Sequence, residues 1–291
     1  MTSIRPRRSV LYMPGANQRA LEKARTLPAD TLILDLEDAV APAAKVEARQ
    51  RVVDAVKSGG YGHRELVIRV NGLDTPWGID DVKAVAECGA DAMLFPKVET
   101  AEGILRAVEV MDDAGIDPAT PVWAMIETPR GVLNIQQVTA AHPRLTAIVM
   151  GTSDLAKDTR ARHTPDRIGF IASLSLCLLA ARAQGLEIFD GVHLDLADEE
   201  GYVTVCQQGR DLGFDGKTLI HPKQIAAANA AFGPSEEDAK QAREIITAWE
   251  QAQVEGKGVV VVNGRLVENL HVEEAERTLL LWDKITEYAN A

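Results

Sequence analysis

The stretch LILDLEDAV, residues 32–40, is an apolar run that closes on three carboxylates, Asp35, Glu37 and Asp38. Runs of this kind recur along the chain. SVLYM near residue 9, TLILDL from 31, ELVIRV from 65, AMLFP from 92, VWAMIE from 122, LTAIVM from 145, LEIFDG from 186 and GKTLIH from 216 are each bounded by turn residues. Short continuous apolar runs read as strands buried on both faces. Between them, segments such as ANQRALEKARTL, KVEARQRVVDAVKSG and TAEGILRAVEVMDDAG carry apolar residues at helical spacing, with glycines at their ends. Eight strand–helix units within about 230 residues match the closed parallel (β/α)8 barrel, typically about 250 residues long. A doubly wound open sheet is the alternative. It would carry a Gly-rich phosphate fingerprint after its first strand, and MPGAN does not match one.

With 291 residues, 46% of them hydrophobic, the chain buries a sizeable core. Its net charge of -12 disfavours nucleic-acid binding, which needs basic surface to displace counterions. An anionic ligand would need a local basic patch. Arg5, Arg7, Arg8, Arg19, Lys23 and Arg25 offer one; a solvated basic end is the other reading. Three well-separated cysteines, Cys88, Cys177 and Cys206, indicate neither a disulfide framework nor a zinc cluster, and a reducing cytoplasm fits them. No apolar run approaches the roughly 20 residues that span a bilayer, and no signal-peptide core is expected at the N-terminus.

In such a barrel the C-terminal strand ends face the active-site mouth. Polar residues gather there: Asp35, Glu37 and Asp38 after the second strand, Arg69 and Asn71 after the third, Lys97 and Glu99 after the fourth, then Glu127, Asp154, Asp190, His193 and His221. Each has a structural alternative, a helix cap or an ion pair, but capping does not require functional groups to recur at one end of a sheet. Glu127 and Asp154 would form a partial oxygen shell for Mg²⁺, which keeps several waters and takes further ligands from substrate. Arg69 beside that ion would bind the oxyanions of a small oxyacid through its planar fork. Enolate chemistry suits such a pocket, with the ion stabilising negative charge while a positioned acid or base moves the proton.

RRSVLYMPGANQR, LILDLEDAV followed by Lys45 and Arg49, VIRVNGLDTPWGIDD, FPKVE, AMIETPRGV, MGTSDLAKD, FDGVHLDL and GKTLIHPKQI occur in order over nearly the whole chain. At these residues the chain resembles the citrate lyase beta-subunit-like branch of the HpcH/HpaI aldolase superfamily. That branch includes malyl-CoA and citramalyl-CoA lyases and malyl-CoA thioesterases. The resemblance implies a barrel assembled as trimers or hexamers, Mg²⁺ at Glu127 and Asp154, substrate oxyanions at Arg69, and coenzyme A over the mouth, where Arg19 and Lys23 would meet phosphate. Lys97 joins Arg69 among the substrate-binding candidates, and Asp38 is a catalytic candidate.

Residues 1–233 are expected to form the TIM-barrel catalytic domain and residues 234–291 a helix–hairpin–helix extension. PSEEDAKQAREIITAWEQAQVEG opens with a capping signal at Ser235, KGVVVVNGRLVE turns at Asn263–Gly264, and HVEEAERTLLLWDKITEYA reads as a closing helix. From the residues alone this is either a packing extension or a lid. The resemblance implies a lid over a neighbouring subunit that contributes a catalytic Asp, whose place is taken here by Glu268. The expected reaction is Mg²⁺-dependent carbon–carbon cleavage of malyl-CoA or citramalyl-CoA to acetyl-CoA and a 2-oxo acid. Malyl-CoA thioester hydrolysis is the alternative, because the extra methylene of Glu268 shifts a carboxylate where about 1 Å matters. A CoA-independent 2-oxo acid aldolase and a non-catalytic binding subunit are further alternatives.

Overall fold

The computed structural model describes residues 4–290. Eight parallel strands, β1 (Ser9–Pro14), β2 (Thr31–Asp35), β3 (Glu65–Arg69), β4 (Ala92–Phe95), β5 (Val122–Ile126), β6 (Leu145–Met150), β7 (Glu187–Asp190) and β8 (Gly216–Leu219), close into a barrel in sequence order. Each expected strand lies on one of them. The helices are α1 (Gln18–Ala24), α2 (Lys45–Ser58), α3 (Gly78–Val85), α4 (Ala101–Asp113), α5 (Pro129–Leu133), α6 (Ile135–Thr139), α7 (Thr152–Thr159), α8 (Ile168–Ala183), α9 (Glu199–Leu212), α10 (Ile225–Phe232), α11 (Glu236–Val254) and α12 (Asn269–Ala289). Every barrel strand is followed by at least one helix, so the fold is a (β/α)8 barrel.

Both faces of each strand are covered, and β2, β3 and β5 are buried at every position. That is why they read as unbroken apolar runs rather than as alternating ones. Inside the barrel Val10, Ile33, Val67, Leu94, Trp123 and Phe189 belong to one cluster, and the Trp123 and Phe189 ring centroids lie 5.0 Å apart. Truncating a buried aromatic of this kind to Ala costs about 3–5 kcal/mol.

The N-terminal strand ends carry a separate polar layer. Arg7 donates to both oxygens of Glu65 at 2.6 Å, places Nη1 2.8 Å from Glu187, and lies 5.5 Å from the Trp123 ring centroid. Arg8 pairs with Asp30 through its backbone N–H, Nε and Nη2. These two arginines therefore do not join a phosphate-binding patch. They precede β1, at the end of the barrel away from the mouth, and their charges are taken up by carboxylates.

The described residues divide into two compact units, Arg7–Ala231 and a second made of Ile4–Pro6 and the residues from Phe232 on. In the second unit Ser235 and Asp238 form a reciprocal cap at the start of α11. Strands β9 (Val260–Val262) and β10 (Arg265–Val267) pair antiparallel, joined by Asn263 and Gly264 at φ 48° and 77°. Positive φ at both positions is what a tight hairpin turn requires, and Asn-Gly supplies it at little cost. Helix α12 begins where Glu268 donates its backbone N–H to His271 Nδ1 at 3.0 Å. No helix among the described residues is long and apolar enough to cross a membrane.

Candidate active site

The mouth begins at the end of β2. Asp35 and Arg69 lie opposite one another in the β2–β3 register, each the last residue of its strand. The carboxylate accepts from Arg69 Nε at 2.6 Å and Nη2 at 2.7 Å, and also from the backbone N–H groups of Glu37 and Ala39. Asp35 thus closes its own loop while neutralising the arginine. The fork that the sequence assigned to ligand is closed on Asp35. Nη1 remains, 3.1 Å from Glu37 Oε2 and 3.6 Å from Met125 Sδ, with the guanidinium 4.8 Å from the Tyr12 ring centroid.

Glu37 is buried and bridges two cations, accepting from Lys97 Nζ while facing Arg69. Burial pushes its carboxyl up, against the pull of Arg69 and Lys97. Asp38 is 59% exposed, with one oxygen 3.9 Å from Lys97 Nζ. The three acids that close the 32–40 stretch therefore have three tasks: one sealed on Arg69, one shared between cations, one open to solvent. Lys45 holds this loop from behind, donating to the Leu36 and Glu37 carbonyls with its ammonium 5.2 Å from the Trp77 ring centroid. A cavity of about 670 Å³, lined in part by Glu37, Asp38, Trp77 and Lys97, opens beside it. That volume suits a small-molecule site.

Glu127 follows β5 and is 1% exposed. Its Oε1 accepts the Lys97 backbone N–H at 2.8 Å, and Oε2 receives no hydrogen bond among the described residues. Burial, only partly offset by Lys97 and Arg69, pushes this carboxyl up to about 8. A Cβ built on Gly151 would sit 2.3 Å from Glu127 Cβ and 2.7 Å from Oε2, so only glycine lets the segment after β6 approach so closely. Asp154, three residues on in the first turn of α7, keeps 27% of its side chain exposed and lies 3.5 Å from Lys157 Nζ.

This donor set fits Mg²⁺. Two carboxylates are available, and one of them is a buried group with a free oxygen that a nearby cation would hold ionised. No group of three His, Cys, Asp or Glu among the described residues forms a fuller cage. A shell of two protein carboxylates, waters and substrate oxygens matches the way this ion is usually held.

Other residues named from the sequence have structural duties. Asn71 donates to Leu36 O and Asp81, and Arg49 pairs with Asp81 at 2.6 Å. His221 caps the turn Pro222–Gln224. Asp190, fully buried, accepts from Arg167 Nη1 at 2.7 and 2.8 Å, from Lys217 Nζ at 2.8 Å and from Gly191 N. Arg19 and Lys23 are exposed in the first and last turns of α1, the helix that follows β1 from the mouth. Sequence reasoning did not foresee Glu37 as a bridge, nor Gly151; a glycine directly after an apolar strand was the available signal.

A model of the HpcH/HpaI aldolase/citrate lyase family matches residues 8–222, the span of the whole barrel. The chain belongs to this family. It is 53% identical to the (3S)-malyl-CoA thioesterase of Cereibacter sphaeroides (strain KD131 / KCTC 12085), over 94% of each chain. It is 37% identical to citrate lyase subunit beta of Leuconostoc mesenteroides subsp. cremoris, over 97% of this chain and 95% of that one. Among solved structures, the CitE protein of Mycobacterium tuberculosis in complex with magnesium, acetoacetate and coenzyme A is 29% identical, with a TM-score of 0.75, covering 96% of this chain and 98% of that one. Membership in the HpcH/HpaI family makes this chain a member of an enzyme family, and the mouth just described is its candidate active site.

Proposed function

We propose that this protein is a Mg²⁺-dependent enzyme acting on a short 3-hydroxyacyl-CoA of dicarboxylic type, and that its reaction is hydrolysis of malyl-CoA. The observation that carries this reading is the 53% identity to a malyl-CoA thioesterase across 94% of both chains. Cleavage, placed first from the sequence, moves to second place on the same ground.

Glu127 Oε2 and Asp154 would hold the ion, and when bound it would polarise the substrate oxygens and offset their developing charge. Arg69 Nη1 and Lys97 Nζ, both now facing Glu37, are the cations placed to meet the substrate carboxylate. Arg19 and Lys23 are assigned to the phosphates of coenzyme A. Hydrolysis needs one water at the thioester carbonyl carbon; a carboxylate takes the water's proton, the carbon–sulfur bond breaks, and that proton passes to the departing thiolate, giving malate and the free thiol. Glu268, from the extension of a neighbouring copy in a trimer or hexamer, is assigned that role. Residues 1–233 are the proposed catalytic domain and 234–291 the lid, and Asp38 shapes the rim.

Incubation with malyl-CoA, following free thiol and 2-oxo acid separately, tests the reaction. Thiol without oxo acid supports hydrolysis; oxo acid without thiol replaces it with cleavage. A Glu268→Ala variant mixed with a Glu127→Gln variant tests the lid. Activity that returns once subunits exchange supports action in trans, and full activity of Glu268→Ala alone removes Glu268 from the mechanism.

A further inference from the structure

Lys97 holds a left-handed backbone, φ 52°, which costs a side-chain-bearing residue on the order of 1 kcal/mol. Among the described residues it is the one such residue whose N–H meets a mouth carboxylate, reaching Glu127 Oε1 at 2.8 Å. Its side chain is anchored as well: Nζ donates to Glu37, itself buried and facing Arg69, and lies 3.9 Å from Asp38. A second observation concerns the other oxygen. Oε2 of Glu127 abuts Gly151, at the start of the segment that carries Asp154. The two oxygens of one carboxyl are thus distinguished, one tied to backbone and the other lying against Gly151, three residues before the second candidate ligand.

We infer that Lys97 is a positioning residue for Glu127. Its left-handed backbone, which aims the N–H at Oε1 of Glu127, leaves the other oxygen for the cation site. This rests on the reading that Glu127 and Asp154 bind a divalent cation. The alternative is a purely electrostatic role, and the two differ in sign. An ammonium near a cation site repels the cation, so removing it without disturbing Glu127 would tighten binding.

Mn²⁺ serves as the probe, its free concentration read by electron paramagnetic resonance on the full-length protein. Lys97→Gly keeps access to positive φ and should bind Mn²⁺ within about threefold of wild type. Lys97→Val, β-branched and strained at positive φ, should bind at least about tenfold more weakly, and Lys97→Met should fall between. Far-UV circular dichroism checks that each variant is folded, and the Gly–Met pair decides the matter if the Val variant is not. Equal affinities for the folded variants, or tighter binding by all of them, overturn the proposal. Glu127→Gln separates it from its premise: if that variant binds Mn²⁺ as wild type does, the cation reading itself falls and the Lys97 proposal with it.

Discussion

Glu127 and Asp190 belong to the C-terminal ends of β5 and β7 and are 1% and 0% exposed, yet their carboxyls move in opposite directions. Burial drives both upward. For Glu127 it wins, and the carboxyl reaches about 8. For Asp190 the Lys217 ammonium and Arg167 guanidinium overcome it and hold the carboxyl below its usual range. Equal burial therefore does not decide which way a carboxyl moves; the number of donors does. Asp190 accepts from Arg167, Lys217 and Gly191 and has little left to give, whereas Glu127 accepts one backbone N–H and keeps an oxygen for something else. A buried acid left short of donors is shaped for a ligand.

The sharpest way to break this contrast is at Asp190. Lys217→Met removes one partner from a fully buried carboxylate and should destabilise the barrel by about 3–5 kcal/mol, measured by denaturant unfolding. Unchanged stability would mean that the cluster is no more closed than the mouth. The Asp190 contribution should be fully present above pH 3.8, the ordinary value, and be lost as pH falls through its lower folded value.

At Glu127 the expectation inverts. Glu127→Gln should lower turnover of the proposed substrate at least about 100-fold, roughly 2.7 kcal/mol, without loss of stability. Its folded value of about 8 lies above the ordinary 4.5, so between those values the folded state retains a proton that the unfolded chain releases. Metal-free stability should then fall as pH rises through that window, by up to about 1.4 kcal/mol per pH unit. Unfolding in EDTA at pH 5, 6.5 and 8 reads the slope, and the Gln variant should flatten it. Identical slopes in the two proteins would show that Glu127 is better solvated than its burial implies.

Arg69→Lys should reduce kcat/KM at least about tenfold, near 1.4 kcal/mol, because an ammonium cannot pair with both oxygens of Asp35 and still reach Glu37. An unchanged value would make Arg69 a scaffold residue only. The smallest effect is expected at the exposed pair of Lys157 with Asp154, where Lys157→Ala should leave the melting temperature unchanged within error.

The barrel was legible because a parallel strand covered on both faces leaves a continuous apolar run, as in VWAMI of β5. Glu127 and Asp154 were legible by position, since groups just past such runs face the mouth. The partner of Arg69 was not. Seeing it required the register that sets Asp35 opposite, and register is a tertiary fact. Nor does anything in FPKVE announce a left-handed lysine, whose N–H and ammonium both meet carboxylates of the mouth only in the folded barrel. Asp190 was grouped with the mouth acids because its sealing partner Arg167 lies in an irregular loop with no periodicity to betray it. Arg7 and Arg8 invited a phosphate reading that their place before β1 contradicts, and that place was readable from the strand order alone.

The seam that closes the barrel pairs Ser9 with Lys217, more than two hundred residues away. A growing polypeptide presents β1 long before its second neighbour, β8, has been synthesised. Until then one edge of β1 waits without hydrogen-bonding partners. Closure of so long a loop is slow, and an open strand edge invites pairing with other chains. The step most exposed to aggregation during biogenesis should therefore be the arrival of the last strand, and changes at Ser9 should lower the yield of soluble protein more than they lower the stability of molecules that have already folded.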